Sequence, residues 1–333
     1  MESASLALPV HDPSQIGTAR RAAVEVADRL GASESEGGNV ALVATELATN
    51  LVRHGGGGEL LVRTLTGAVA GIEILAIDRG PGMVNVEQAL RDGFSTGGTS
   101  GHGLGAVQRI ADRCEIFSAP GAGTAVMARL HVRGQGRSSD IVAGVCVAKH
   151  GESVCGDAWA WVSHGDRWTV LVADGLGHGL QAATAAQEAV RVFREHAAAA
   201  AADILDAAHS ALRPTRGAAI GIAEVHPARG EATFTGVGNI GATILSGGAP
   251  RNLVSHAGIV GHECRKIQTF SYPWSEGAVM VVYSDGLQTR WTLDRYPGLR
   301  TSDPALLAAV LYRDFARGRD DVTVVAGREE RAA

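Results

Sequence analysis

The sequence predicts an α+β protein in two domains, the second a β-sandwich with helical outer layers. Three observations lead there. At 333 residues the chain exceeds the usual single domain. Residues 16–53 carry two helical stripes, and strand-like runs follow as far as residue 132. After a short polar stretch, strand follows strand with paired helices between them, the pattern of two packed sheets under helices.

Composition narrows the function classes. A hydrophobic content of 45% is ample for packed cores, and a net charge of −5 gives no reason to expect a nucleic-acid or membrane-surface binder. The four cysteines, Cys114, Cys146, Cys155 and Cys264, show no C-x-x-C spacing and read as reduced thiols rather than a disulfide frame or zinc site. Residues 1–10 have no basic start and no adequate apolar core for a signal peptide. No apolar run has the length of a membrane span. The expectation is a cytoplasmic protein.

In chain order, Ile16, Ala19, Ala23, Val26, Ala27 and Leu30 form one helical stripe, which 31–33 stops. A second helix over 36–53 places Val40, Leu42, Val43, Leu47, Leu51 and Val52 on its apolar side. Glu46 and Asn50, four apart, project from one face about one turn from each other. Strands over 60–65 and 71–77 follow, the second running into Asp78-Arg79-Gly80-Pro81-Gly82. The glycine-rich stretch 93–105 runs into a helix over 106–112. Such a loop can deliver backbone N–H groups to an anion at a helix N-terminus, although flexible surface loops are glycine-rich too. A hairpin over 114–118 and 124–132 closes on 120–123.

The order Glu46-Leu47-Ala48-Thr49-Asn50, Asp78-x-Gly80-x-Gly82, Gly101-x-Gly103-x-Gly105 and Gly123-Thr124 resembles the N, G1 and G2 boxes of GHKL ATP-binding domains. It is most similar to the serine kinases of bacterial anti-sigma and stress-switch systems, over about residues 15–132. The resemblance implies an N-terminal GHKL α/β sandwich that binds ATP with Mg²⁺. It makes Asp78 the acceptor of the adenine amino group, with Gly80 and Gly82 admitting the base. Asn50 would hold Mg²⁺, and Gly101, Gly103 and Gly105 would form the lid and phosphate contact. Thr124 would lie behind the adenine, and Glu46 matches the general base that activates a serine hydroxyl. Residues 134–140 are small and polar and read as a short linker.

The second half opens with strands over 141–148, 158–162 and 168–173. Helices are expected over 180–196 and 204–212, and the alanine tract 197–202 reads as continued helix on propensity. Further strands follow, then a helix over 304–315 and a last strand over 322–326. Four aspartates stand at strand ends: Asp157, Asp174 before Gly175, Asp285 before Gly286, and Asp320, with Asp321 a rival by adjacency. Isolated carboxylates placed so are hard oxygen ligands at the edge of a core, and we read them as a metal site.

Gly156-Asp157, Asp174-Gly175-Leu176-Gly177-His178-Gly179, Gly236-x-Gly238-Asn239, Ser284-Asp285-Gly286 and Asp320-Asp321-x-Thr323 stand in the order of the metal-dependent (type 2C) serine/threonine phosphatases, SpoIIE branch, which the segment resembles over about residues 140–327. The resemblance implies a PP2C-like β-sandwich holding two Mn²⁺ or Mg²⁺ ions. Asp174 would bridge them, with the Gly175 carbonyl on one. Asp285 and Asp320 would hold the other, and Asp157 would belong to the same metal site by orienting metal-bound waters. Many relatives outside this branch carry histidine directly after Asp-Gly, where this chain has Leu176. His178 is left with two readings, proton donor to the leaving serine oxygen or helix capping and packing, the second preferred.

The domains expected are 1–133, the linker 134–140, and 141–328. Together they imply a bifunctional partner-switching regulator, a phosphoserine phosphatase fused to a serine kinase. Its expected partner is a phosphorylated STAS-type anti-anti-sigma or stress-complex protein, with a sigma factor or another regulator as a further partner. The alternative is a phosphatase gated by a non-catalytic, nucleotide-binding anti-sigma-like module. A catalytically dead scaffold fits poorly with the complete aspartate set.

Overall fold

The computed structural model describes residues 4–65, 70–90, 103–134, 141–264 and 266–329. Gly101 and most of the expected linker lie outside the described residues. The chain divides into two compact units. One comprises residues 5–139 and 292–313; the other comprises 140–291 and 314–333 with the first four residues.

The first unit begins with β1 (Leu6–Val10), a strand the sequence reading did not include, then α1 (Pro13–Arg29) and α2 (Glu34–Arg53). Both helices start on a capping box. Asp12 and Gln15 close the first, and Ser33 and Glu36 the second, so first-turn N–H groups that would otherwise lack partners are satisfied. There follow β2 (Gly58–Leu65), β3 (Gly71–Asp78), α3 (Val86–Leu90), α4 (Gly103–Ile110), β4 (Arg113–Ser118) and β5 (Thr124–His131). The strands form one antiparallel sheet in the order β1-β2-β3-β5-β4. Alternation divides its faces. Leu60, Val62, Ile72, Ile74, Ala76, Val126 and Ala128 pack with Val40, Val43, Leu47 and Leu51 of α2 in one core. The opposite face carries Glu73, and β3 is buried at all eight positions, so that face is covered as well.

On that second face Glu73 lies between two guanidinium groups, 2.6 Å from Arg63 Nε and 2.7 Å from Arg129 Nε, all three buried. Burial alone would raise its pKa, but the two cations outweigh burial and hold the carboxyl at about 2. Arg129 also donates through Nη1 and Nη2 to Asp303, at 3.0 and 2.9 Å. Residues near the C-terminal end of the sequence thus complete the buried face of the N-terminal sheet.

The second unit contains β6 (Val142–Val147), β7 (Asp157–His164), β8 (Arg167–Gly175), α5 (Leu180–Glu195), α6 (Ala201–Ala211), β9 (Ala218–His226), β10 (Glu231–Val237), β11 (Gly241–Leu245), β12 (Arg251–Asn252), β13 (Thr269–Pro273) and β14 (Val279–Tyr283). The chain then runs through α7 (Pro304–Phe315), most of which clusters with the first unit, and returns in β15 (Val322–Arg328). Two antiparallel sheets result, β13-β10-β9-β8-β7 and β12-β11-β14-β15-β6. Their inner faces meet in one core built around Trp159, Trp168, Phe234, Ile244 and Val282. The outer face of the first sheet packs under α5 and α6 through Leu171, Ile220, Ile222, Ala186 and Phe193. The alanine tract departs from expectation: α5 stops at Glu195, and Ala200 is extended before α6. Both helices bury a stripe on the same sheet, so the chain must turn between them, and this packing overrides alanine's propensity. No described helix is long and apolar enough to cross a membrane.

Candidate functional site

In the first unit, β3 ends on Asp78, directly opposite Thr124 at the start of β5. Asp78 is 9% exposed, and its Oδ1 accepts from Gly80 N at 2.8 Å and Thr124 N at 3.1 Å. Burial pushes its pKa up, and these two backbone donors oppose the shift. The turn is built for close approach. Gly82 has φ of 70°, and a Cβ there would fall 2.0 Å from Ala119 O; one at Gly80 would fall 2.9 Å from Gly55 Cα. Thr124 Oγ1 lies 2.9 Å from Ser118 Oγ, which fixes it beside the aspartate.

Glu46 and Asn50 share a face of α2, and the glycine that opens α4 stands against both. A Cβ at Gly103 would lie 3.2 Å from Glu46 Oε2 and 3.5 Å from Asn50 Oδ1. Asn50 Nδ2 is buried without a hydrogen-bond partner among the described residues, as suits a side chain built to meet a ligand. Gly105 is buried one turn into α4. The acid, the amide and the glycine helix therefore converge, although they are more than fifty residues apart in sequence.

In the second unit Asp157 and Asp174 face each other at the open ends of β7 and β8. Gly175 N donates to Gly156 O at 3.1 Å, and the start of α5 presses on both glycines: a Cβ at Gly175 would lie 2.0 Å from Ala182 O. Across the sandwich, Ser284 N donates to Thr323 O and Thr323 N to Ser284 Oγ, at 3.0 and 2.9 Å. That pairing ties the end of β14, which carries Asp285, to the start of β15, which follows Asp320 and Asp321. Asp321 is 3% exposed and accepts from Lys149 N at 2.8 Å, whereas Asp320 is exposed.

The electrostatics are those of crowded carboxylates. Burial, then the charges of Asp157, Asp285, Asp320 and Asp321, push Asp174 up to about 9. Asp157 is pushed up to about 7, chiefly by burial, with Asp321 and Asp285 adding to it. The Ser284 and Thr323 hydroxyls offset part of this without reaching normal hydrogen-bond geometry. Both Asp157 oxygens and Asp321 Oδ2 are buried with no partner among the described residues. Such a cluster needs positive charge, and an all-oxygen donor set fits Mg²⁺ or Mn²⁺. Among the described residues no group of three His, Cys, Asp or Glu side chains is placed so as to hold a metal ion.

Two residues gain roles that sequence reasoning did not assign. Asn239 Nδ2 donates to Asp285 Oδ2 at 2.7 Å and orients that carboxylate; its Gly-x-Gly-Asn context was visible, but its partner lies 46 residues away. His178 does not cap α5, whose N-cap is Gly179 with no side-chain bond; its Nδ1 lies 2.7 Å from Glu152 Oε1. The cysteines are all free, yet Cys146 and Cys155 stand with their sulfurs 3.5 Å apart.

Two family profiles match the chain. The histidine kinase-like ATPase domain profile matches residues 10–130, and that of stage II sporulation protein E (SpoIIE) matches 164–328. The serine/threonine-protein kinase RsbT of Bacillus subtilis (strain 168) is 32% identical over 114 residues, 34% of this chain and 86% of that protein. The phosphoserine phosphatase RsbX of the same organism is 24% identical over 140 residues, 42% of this chain and 70% of that one. A solved chain described under "The bacterial stressosome: a modular system that has been adapted to control secondary messenger signaling" superposes with a TM-score of 0.53 at 28% identity, covering 56% of this chain and 98% of its own. The class is a metal-dependent protein-serine/threonine phosphatase joined to a kinase-like ATPase domain. The chain belongs to the RsbT-like GHKL family in its N-terminal part, and its C-terminal part matches the SpoIIE profile and resembles PP2C-type phosphatases.

Proposed function

We propose that the chain is a bifunctional partner-switching regulator acting in the cytoplasm, with a kinase domain over 1–133, a linker over 134–140 and a phosphatase domain over 141–328. Its substrate is a serine on a STAS-type anti-anti-sigma or stress-complex protein, phosphorylated by one domain and dephosphorylated by the other. A sigma factor or another regulator is a further partner. The observation that carries the kinase half is Gly103 against both Glu46 and Asn50. In that role Asn50 would hold Mg²⁺, and Asp78 would receive the adenine amino group in the turn opened by Gly80 and Gly82. Gly101, Gly103 and Gly105 close over the phosphates. Glu46 takes the proton of the serine hydroxyl as its oxygen bonds the γ-phosphorus and the bond to the β-phosphate oxygen breaks.

In the phosphatase half, Asp174, the Gly175 carbonyl, Asp285 and Asp320 would hold two Mn²⁺ or Mg²⁺ ions. Bound there, the ions would supply charge to stabilise the phosphoryl group and to activate water. Asp157 accepts hydrogen bonds from water beside the substrate and orients it. Asn239 keeps Asp285 turned to the site.

A second reading keeps the first domain as a nucleotide-dependent binding module that gates the phosphatase. The observation favouring it is the return of residues 292–313 to the nucleotide unit. Label transfer separates the two. An Asp174→Asn protein given γ-labelled ATP should accumulate label on a STAS-domain substrate protein, and adding Glu46→Ala should abolish transfer while ATP affinity, measured by calorimetry, stays within about twofold. Label in neither variant, with nucleotide altering partner affinity, would favour the binding module and overturn the kinase.

A further inference from the structure

Asp285 and Asp320, the candidate ligands at the ends of β14 and β15, are joined by a segment that leaves their own unit. Residues 292–313 cluster with the N-terminal sheet, and 314 onward return. The excursion is pinned at both ends. Asp303, fully buried, receives Arg129 and also Arg113 Nη2 at 2.8 Å, while its own N–H donates to Glu115 Oε1 at 2.7 Å. Ten residues on, in the last turn of α7, Arg313 is 6% exposed. Its Nη1 donates to the carbonyl of Asp78 at 2.6 Å, and its Nη2 to that of Ala122 at 2.7 Å. One guanidinium thus bridges the backbones of the two loops that frame the adenine aspartate. Beside it, burial and the Glu59 carboxylate on β2 push the Tyr312 phenol up.

The chain leaving α7 is then joined to the turn that follows Asp285. Gln288 N donates to Phe315 O at 2.9 Å, Leu287 bridges Ala316, and Arg317 N donates to Gly286 O at 2.8 Å. Gly286 is in turn packed on the Asp321 backbone, where a Cβ would fall 2.0 Å from the carbonyl oxygen. Only one residue, Asp314, separates Arg313 from the first of these bonds. Both sets of contacts are buried or hydrogen-bonded, and a helix between them transmits displacement with little slack.

We propose that α7 couples the nucleotide site to the phosphatase centre. Occupancy at Asp78 sets the position of Arg313, and through Phe315–Arg317 the position of the Gly286–Gln288 turn and Asp285. This rests on the proposed nucleotide binding by the first domain. It names Arg313 as a positioning residue, since it acts through the backbone carbonyls of Asp78 and Ala122.

The test uses the full chain, p-nitrophenyl phosphate with Mn²⁺, and the β,γ-imido analogue of ATP, which donates no phosphoryl group. The analogue should change the phosphatase rate roughly fivefold or more. In Arg313→Lys, which keeps the charge but cannot span two carbonyls, and in Arg313→Ala, analogue binding by calorimetry and basal phosphatase activity should persist while the response falls below about 1.5-fold. Hydrogen exchange on the unaltered protein needs no variant: the analogue should slow exchange of the Gln288 and Arg317 amides. A bound analogue with an unchanged rate and unchanged exchange at those amides overturns the coupling alone. A response that survives in both Arg313 variants overturns the route through α7. No analogue binding overturns the coupling together with the nucleotide-domain reading.

Discussion

Asn239 shows how much of a site a single amide can carry. It donates one hydrogen bond to Asp285, whose pKa is raised by burial and by Asp320. Partners of this kind fix a ligand's rotamer, and their loss costs metal sites about 10–100-fold in affinity. Asn239→Ala should therefore raise the Mn²⁺ concentration for half-maximal phosphatase activity by roughly that factor, while saturating Mn²⁺ restores most of the rate. A metal titration checks this; an unchanged midpoint would remove Asn239 from the site. At this scale the sequence was most legible for position: Asp157, Asp174 and Asp285 stand at strand ends, as read. It was least legible for partners chosen by folding. Nothing in the order of residues pairs Asn239 with Asp285 or His178 with Glu152.

Periodicity and punctuation located most elements. The stripe on α1, the Glu46–Asn50 face of α2 and the hydrophobic strands 71–77 and 278–283 all have a local cause. Two misses had a distant one. β1 has only five residues and is fixed by pairing with β2, and the break before α6 is fixed by the sheet beneath. The Arg63–Glu73–Arg129 cluster is similar, since its charges look like strand-surface residues until α7's leading Asp303 covers them. Removing the central carboxylate would leave two buried cations poorly paired. Glu73→Gln should lower unfolding free energy at neutral pH by about 3–5 kcal/mol in chemical denaturation. The pH sign follows from a folded pKa of about 2 against an ordinary 4.5. The carboxylate's contribution is fully present above 4.5 and fades as pH falls toward 2. The gap between unaltered protein and variant should therefore narrow over that window. A constant gap would mean that Glu73 is not held by those cations.

At the level of the molecule, kinase-like and phosphatase domains on one chain consume ATP to no effect unless one is restrained. Motif order divides the chain near residue 140, whereas contacts assign 292–313 to the first unit. That return is hard to read in sequence because 304–315 reads as an amphipathic helix, whereas α7 is buried from Pro304 to Arg313, and only the partners of Asp303 and Arg313 reveal where it packs. The central claim is that one chain writes and erases the same mark. The most direct measurement phosphorylates a STAS-domain protein with the Asp174→Asn variant, maps the serine by peptide mass spectrometry, and then adds the unaltered protein with Mn²⁺ and no ATP. The account expects loss of phosphate from that same serine, blocked by a chelator. Phosphate that persists there, or that was placed on a different residue from the one the phosphatase clears, would contradict it.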